Sequence, residues 1–220
     1  MHIPDGFLDP PLCILMYAVS LAFLIWAWKG VKARYPRSFA PLIAISSALV
    51  FVGQMLNFPI LYGTSGHLVG GTLLAVLLGP HAAVLSMTIV LLIQATFFAD
   101  GGIFTFGANI FNMAIIGGLS FYLIKLLSSG SRSQKRFLAS VFAASWLSVF
   151  LGAFACAVEV GVSSMFSSAG SIFVTIPAML FWHTFIGVGE ALITTLLLSQ
   201  LQRIQPTTLI GLNMLRRVVP

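Results

Sequence analysis

The sequence predicts an all-α integral membrane protein with seven transmembrane helices, its N-terminus outside the cell and its C-terminus in the cytosol. Of the 220 residues, 59% are hydrophobic and 7% are charged, and the mean hydropathy is +1.04. A soluble domain carries about 25% charged residues, so this chain has too few of them to cover a water-facing surface. Its apolar runs approach the roughly 20 residues that a helix needs to cross a bilayer.

Seven apolar segments account for the predicted helices. They cover residues 11–28, 39–59, 67–78, 82–99, 109–127, 137–160 and 172–201. The third segment is short for a full span, which predicts a tilted or partly re-entrant helix. The seventh is long, so it must tilt, bend or extend past the bilayer. Two short spans divided near Gly187 are the alternative, and they would move the C-terminus outside.

The basic residues predict the orientation of the seven helices. All 11 Lys and Arg residues fall on one side of the membrane: Lys29, Lys32, Arg34 and Arg37, then Lys125, Arg132, Lys135 and Arg136, then Arg203, Arg216 and Arg217. Asp5, Asp9 and Asp100 fall on the other side. Because basic residues concentrate in cytoplasmic loops, the N-terminus is predicted to lie outside. Six or eight spans would place the last three arginines outside.

The N-terminus does not have the pattern of a signal peptide, because no basic region precedes the first apolar run. The first basic residue is Lys29. We expect Met1 to be retained, since the bulky His2 follows it, and to carry a free α-amino group. Cys13 and Cys156 both lie in apolar runs and are predicted to be buried free thiols.

The predicted topology separates the four histidines. His2 and His67 lie at the outer side, and His183 lies inside the seventh span. His81 follows a tight turn on the cytosolic side and is predicted to be interfacial. A histidine buried in a membrane is costly and suggests function. An interhelical hydrogen bond is the alternative for His183.

The Met-His terminus offers three consecutive nitrogen donors: the Met1 amine, the His2 backbone nitrogen and the His2 imidazole. Chelation through them closes one five-membered and one six-membered ring. The amide must lose its proton, which Ni²⁺ and Cu²⁺ promote well, some Co²⁺ sites manage, and Zn²⁺ and Mg²⁺ rarely do. His67 is the natural fourth donor of a square-planar site. Because imidazole binds metal only when neutral, we expect weaker uptake at acid pH.

The residues after His2 predict a turn that folds the terminus back into the bundle. Pro4 and Gly6 suit a turn, and Phe7 and Leu8 are apolar enough to pack between helices. Asp5 either orients His2 or only shapes the turn.

Several polar residues in apolar surroundings are candidates to support the ligands. Two glycine-rich outer loops, residues 57–71 and 97–113, lie on the same side as His2. Glu190 is two helical turns from His183, and Glu159 lies near the outer end of the sixth span; either is a proton or cation station, or a neutral hydrogen-bonded group. The amides of Asn57, Gln94, Asn109 and Asn112 favour interhelical hydrogen bonds over metal ligation. The supporting candidates are Asp5, Asn57, Asn109, His183 and Glu190.

Two further observations bear on how the chain works. Ala40, Ala44 and Ala48 form a small-residue stripe that suits close packing, either within the bundle or against a partner. The sequence has no phosphate-binding loop of an ATPase and no soluble domain to hold one. This pattern favours a binding subunit or a channel over a complete pump.

Four motifs together resemble one family. They are "MHIPDGFL" at the terminus, "GTSGHLVGG" around His67, "DGGIFTFGANIFNM" and "HTFIGVGEALIT". Their combination is similar to the cobalt/nickel permeases of the CbiM/NikM type, which are substrate-binding S-components of energy-coupling factor (ECF) transporters. The resemblance implies a six-helix S-component core plus one N-terminal helix. It implies a single domain with a metal-binding segment (1–10), a helical bundle (11–201) and a basic cytosolic tail (202–220).

The resemblance also implies ligands and partners. The ligands are the Met1 amine, the His2 amide and imidazole, and His67, and the substrate is Co²⁺ or Ni²⁺, with no organic cofactor. The partners are a transmembrane T-component docking at the alanine stripe, two ABC-type ATPase subunits that hydrolyse ATP in place of this chain, and a small accessory membrane subunit, all in the bilayer of a prokaryotic cell membrane. No nucleic acid is expected.

Two other functions stay open from the residues. One is a stand-alone metal channel or proton-coupled secondary transporter, with Glu190 as the proton site. The other is an S-component for an organic vitamin, against which the Met-His terminus argues.

Overall fold

The computed structural model of the protein describes residues 1–56, 58–60, 64–130, 133–165, 172–204 and 211. Its helices are α1 (Pro10–Arg34), α2 (Ala40–Met55), α3 (Gly71–Leu78), α4 (Pro80–Phe97), α5 (Phe106–Ser128), α6 (Gln134–Val162) and α7 (Ile172–Ile204). A 3₁₀ turn, Arg37–Phe39, precedes α2, and a small antiparallel hairpin of β1 (Phe58–Ile60) and β2 (Thr64–Gly66) precedes α3. The predicted helical class is confirmed.

Six of these helices are long and apolar enough to cross a membrane: α1, α2 with its preceding turn, α4, α5, α6 and α7. The six carry large apolar side chains that face outward, such as Ile14 on α1 and Phe173 on α7. In water such a surface would be strongly unfavourable. The chain is therefore a multi-pass membrane protein, while its orientation stays a prediction. Arg132, Arg216 and Arg217 lie outside the described residues.

The predicted third span differs from the structure. Helix α3 has eight residues, about 12 Å of helix, which is far short of the ~30 Å of a bilayer core. It begins at Gly71 rather than at residue 67. Gly70 has a left-handed backbone conformation (φ 76°), which a right-handed helix cannot include, so the helix starts only after it. All eight residues are buried, so α3 is a central core element that is too short to cross the bilayer as a helix on its own, and the count of seven spans stays a prediction.

Close backbone contacts hold α3 in the centre. A Cβ added at Gly71 would lie 2.7 Å from the Cα of Gly117 on α5, so the two helices touch at their glycines. Nearer the start of α5, Gly107 lies against the backbone of Tyr17 on α1, and the Ser20 hydroxyl donates to the Gly107 carbonyl at 2.6 Å. These contacts fix α5, which carries part of the candidate site.

Helix α7 is continuous over 33 residues and contains Pro177. At 1.5 Å per residue it is about 50 Å long, more than the thickness of the hydrocarbon core. The alternative of two short spans divided near Gly187 is therefore wrong. The prediction that the last helix extends past the bilayer or tilts within it stays open.

The Nε2 atom of His81 lies 3.3 Å from Nη1 of Arg34, at the end of α1, and the interfacial position predicted for His81 stays a prediction. His81 lies in the first turn of α4 and is buried against α1, with its ring centroid 4.3 Å from that of Trp26. A Cβ added at Gly30 would collide with the ring. His81 thus packs two helices together. Cys13 and Cys156 are buried and free, as predicted.

Candidate metal site at the N-terminal segment

The first eight residues fold back into the bundle. Met1, Ile3 and Leu8 are each at most 4% exposed, and Phe7 packs against the core. Gly6 has a φ of 88°, which a residue with a side chain rarely adopts, and it turns the chain between Asp5 and Phe7. The predicted folding back of the terminus is confirmed in these contacts.

The junction with α1 is fixed by Asp9. Its carboxylate accepts the N–H of Leu12 at 3.2 Å, which caps the helix, and Pro10 and Pro11 suit the first turn. The same carboxylate accepts the N–H of Ser164 at 3.1 Å, just after α6. Hydrogen bonding lowers the pKa of Asp9. The start of α1 is thereby joined to the end of α6.

Ile3 is the anchor of the N-terminal segment. Asn109 on α5 pairs with both of its backbone groups: the Ile3 N–H donates to Oδ1 at 2.8 Å, and Nδ2 donates to the Ile3 carbonyl at 3.1 Å. The same carbonyl accepts the Gly102 N–H at 2.9 Å and the Thr105 hydroxyl at 2.5 Å. Asn109 therefore fixes the residue next to His2.

The structure shows no hydrogen bond or ion pair between Asp5 and His2. The Asp5 carboxylate accepts the backbone N–H groups of Ile103 at 3.0 Å, Phe104 at 2.7 Å and Thr105 at 3.3 Å. The interpretation that Asp5 orients His2 is therefore wrong; a carboxylate gains more from several convergent N–H donors than from one neutral imidazole. Gly102 is required beside it, since a Cβ there would lie 2.1 Å from Oδ1 of Asp5.

His2 and His67 face each other, with ring centroids 4.9 Å apart and ring planes at 39°. The Nε2 atom of His2 lies 3.2 Å from Oε1 of Gln94. A carboxamide oxygen only accepts hydrogen bonds, so Nε2 carries the proton and Nδ1 keeps a lone pair. That Nδ1 atom is buried, and no described residue forms a hydrogen bond with it.

His67 shows the complementary arrangement. Its Nδ1 atom donates to the carbonyl of Leu68 at 2.8 Å, which leaves Nε2 with a lone pair. Nε2 is buried and has no hydrogen-bond partner among the residues that the structure describes. Two buried imidazoles thus each present one bare nitrogen, and each is fixed in its tautomer by a hydrogen bond from the other nitrogen, as in metal-binding histidines.

The electrostatics of the terminus favour neutral donors. Burial lowers the pKa of the Met1 amino group below its ordinary value. Burial, together with the neighbouring amino group, lowers the pKa of His2 to about 3. Partial burial raises the pKa of Asp100. The neutral form of the His2 ring, with a proton on Nε2 and a lone pair on Nδ1, is therefore favoured.

Side chains alone do not form a metal site in the described part of the chain. No group of three or more His, Cys, Asp or Glu residues lies close enough together there to hold an ion. A site at His2 and His67 therefore needs further donors, and the Met1 amine and the His2 backbone nitrogen are attached to the same terminus. The bare Nδ1 of His2 is the imidazole nitrogen that closes a six-membered ring with that backbone nitrogen.

Glu190 of α7 holds the chain that follows His67. Its two carboxylate oxygens accept the N–H groups of Val69 and Gly70, each at 2.8 Å, and the side chain is buried. This geometry differs from that of a free proton or cation station, because both oxygens are already engaged. Glu190 instead fixes the segment that carries the His67 ring.

The remaining supporting candidates differ in outcome. His183 is buried, and its Nδ1 atom donates to the Met179 carbonyl of its own helix at 2.8 Å. The structure gives it no hydrogen bond to another helix within the described residues, so the interhelical alternative is not borne out there. Asn57 lies outside the described residues. Gln94 holds His2 directly, although the sequence favours only an interhelical role for its amide.

The comparisons with known proteins bear on the whole chain. Residues 2–208 match the sequence profile CbiM, described as the cobalt uptake substrate-specific transmembrane region. The chain belongs to the CbiM family. It is 40% identical over 210 residues to a putative fused nickel transport protein NikMN of Archaeoglobus fulgidus, covering 94% of this chain and 67% of that one.

Other CbiM-related proteins agree with this placement. The chain is 39% identical over 165 residues to a cobalt transport protein CbiM of Limosilactobacillus reuteri, covering 72% of this chain and 66% of that one. It thus spans about two thirds of the length of both relatives. A crystal structure of a transition metal transporter superposes with a TM-score of 0.86 at 36% identity, covering 99% of this chain and 100% of that one. The chain is a membrane member of a cobalt and nickel transport family.

Proposed function

We propose that this chain captures Co²⁺ or Ni²⁺ outside the cell as the substrate-binding subunit of an ATP-driven ECF importer. The observation that carries the proposal is the pair of buried bare nitrogens, Nδ1 of His2 and Nε2 of His67, on rings 4.9 Å apart. With the Met1 amine and the deprotonated His2 amide they supply four nitrogen donors. Four nitrogens in a plane suit Ni²⁺ and low-spin Co²⁺.

The exposed face of α2 supports a docking role for the alanine stripe. Ala40, Ala44 and Ala48 are all exposed. The opposite face of the same helix buries Ser46, Val50 and Gln54, at the same four-residue spacing. A smooth stripe of small residues outside the bundle permits close contact with another helix, so we assign it to a T-component partner.

Transport then follows from reorientation of this subunit. The ion is held at the outer side, and the subunit topples in the bilayer when the T-component, driven by two ABC-type ATPases, pulls on it. The site is exposed to the cytosol and the ion leaves. Bonds to the ion form and break, and no covalent chemistry occurs in this subunit. A small accessory membrane subunit completes the assembly.

Uptake into vesicles tests the proposal against its alternatives. We expect ATP-dependent ⁶³Ni²⁺ uptake when this chain is reconstituted with its accessory subunit, its T-component and the ATPases, and none when it is alone. Uptake by the chain alone would instead support a channel or a secondary transporter. A bound organic molecule that survives treatment with a chelator would support a vitamin S-component.

Substitution of Glu190 tests the support of His67. Glu190→Gln removes one acceptor oxygen and turns an N–H donor toward the N–H of Val69 or Gly70. We expect nickel affinity to fall about 10–100-fold, the usual cost of disturbing a group that orients a ligand. The measurement is a nickel titration of the purified variant.

Glu159→Gln is the matched control for that experiment. Glu159 is also buried, and it accepts from Nδ2 of Asn112 at 2.7 Å rather than from the chain next to His67. Its nickel affinity is expected to stay within about threefold of the unmodified protein. Equal losses in the two variants would remove the specific role assigned to Glu190.

Enlarging the stripe tests the docking assignment. Ala44→Trp is expected to abolish ATP-driven uptake while nickel binding to the isolated subunit is unchanged, because the side chain projects outward. Ile193→Trp, on an exposed face of α7, is the control and should leave both measurements unchanged. Normal uptake by Ala44→Trp would exclude this face as the T-component contact.

A further inference from the structure

Asp100 stands beside the candidate ligands and has no part in the four-nitrogen site. Its Oδ1 atom lies 3.5 Å from Nδ1 of His2, the nitrogen that is bare. The Asp100 side chain is 24% exposed, whereas that of His2 is 4% exposed. A partly exposed carboxylate thus lies beside a buried candidate metal-binding nitrogen.

The charge of a loaded site explains why a carboxylate belongs there. This step rests on the proposed function. A divalent ion brings two positive charges, the deprotonated His2 amide brings one negative charge, and the amine and both imidazoles are neutral. One net positive charge remains in a buried place, and an isolated buried charge is strongly unfavourable unless it is paired.

We propose that Asp100 is the counter-charge of the loaded site, so that the bound ion and its surroundings are neutral together. Asp100 does not need to bind the ion directly for this. It lowers the cost of burying the charged complex, because one carboxylate neutralises the single positive charge that remains once the His2 amide has lost its proton. The four nitrogens then define the geometry and Asp100 adds affinity.

The other four acidic residues of the chain are engaged elsewhere. Asp5 accepts from the backbone of 103–105, and Asp9 caps α1. Glu159 pairs with Asn112, and Glu190 accepts from Val69 and Gly70. Within the described residues, only Asp100 comes within ion-pair distance of a candidate ligand.

The loop that follows α4 fixes the position of Asp100 relative to His2. The Asp100 N–H donates to the backbone carbonyl of Gln94 at 3.1 Å, and the side chain of the same Gln94 accepts from His2. Ala99 has a φ of 53°, a strained conformation for a residue with a side chain, and it turns the chain into Asp100. Gly101 follows with a φ of 90°. One glutamine thus positions both the carboxylate and the imidazole.

Substitution of Asp100 in the full-length purified chain, titrated with NiCl₂, tests this proposal. Asp100→Asn keeps the shape and removes the charge, and we expect affinity to fall about 10–100-fold with faster dissociation, the range typical of groups that surround a metal site. The visible nickel band is expected to stay in place, since the four nitrogen ligands are unchanged. Asp100→Glu keeps the charge and should recover most of the lost affinity.

Asp9→Asn is the matched control, because it neutralises another outer acid at a position where Asn also caps a helix well. Its nickel affinity is expected to stay within about twofold. Asp100→Asn affinity within about twofold of the unmodified protein would overturn the proposal, as would a shifted nickel band, which would make Asp100 a ligand. Failure of Asp100→Glu to recover affinity would also overturn it. If the unmodified chain bound no nickel, the proposed function itself would fall, and this inference with it.

Discussion

Replacing His67 with alanine is expected to reduce nickel affinity by more than 100-fold. Changes to groups that only orient a metal ligand cost about 10–100-fold, so removing a ligand should cost more. His67 reaches the site from the chain between the hairpin and α3, and its Nε2 atom is the bare nitrogen opposite His2. The same loss is expected for His2→Ala. The measurement is competition for Ni²⁺ against a chelator of known affinity.

His81→Asn is the control for this prediction. His81 is also a buried histidine, and it packs against Trp26 near the other end of α3. Its replacement is expected to lower the melting temperature of the protein while nickel affinity stays within about twofold. If the His81 and His67 variants lost affinity equally, the loss would reflect general destabilisation and not a missing ligand.

Adding one residue before Met1 is expected to reduce the nickel binding that depends on His67 as strongly as removing His67 does. Ile3 is fixed to Asn109 at both backbone groups, so the chain cannot slide outward to make room. Met1 is 4% exposed, and its sulfur atom lies against Gly152. One more residue therefore moves the amine by up to about 3.6 Å, beyond the distance at which the five-membered ring closes.

A cleavable leader provides the control for the extended protein. Cutting it to leave Met1 first should restore nickel affinity in the same preparation. An extended terminus can also chelate nickel by itself, through its amine, two amides and His2, so any residual binding must be tested in a His67→Ala background. Tight binding by the extended protein that still depends on His67 would exclude the amine as a ligand.

Much of this fold is predictable from the sequence because membranes impose simple rules. Apolar length identifies the six long helices, and Pro4 and Gly6 indicate the turn that returns the terminus to the bundle. Helix α3 is the exception. Its apolar run resembles a span, but only the left-handed Gly70 and the engagement of residues 69 and 70 by Glu190 define where the helix begins.

The supporting residues of the site are harder to predict than its candidate ligands. Because His2 directly follows Met1, the sizes of the two chelate rings can be worked out from the sequence, and no knowledge of the tertiary structure is needed to predict chelation. Gln94 and Asp100 depend on how α4 and the following loop meet the terminus, which no local pattern encodes. The role of Asp5 is equally hard to predict, since its partners are backbone groups about one hundred positions away in the chain. A polar amide near the C-terminal end of the otherwise apolar α4 was the available signal for Gln94.

The visible and magnetic properties of the nickel-loaded protein test the central claim most directly. That claim is that four nitrogens, two of them from the backbone of the terminus, hold the ion in a plane. We expect one Ni²⁺ per chain, a yellow colour and a diamagnetic ion, because square-planar Ni²⁺ with strong nitrogen donors is low-spin. A pale green, paramagnetic, six-coordinate ion at the same stoichiometry would contradict it.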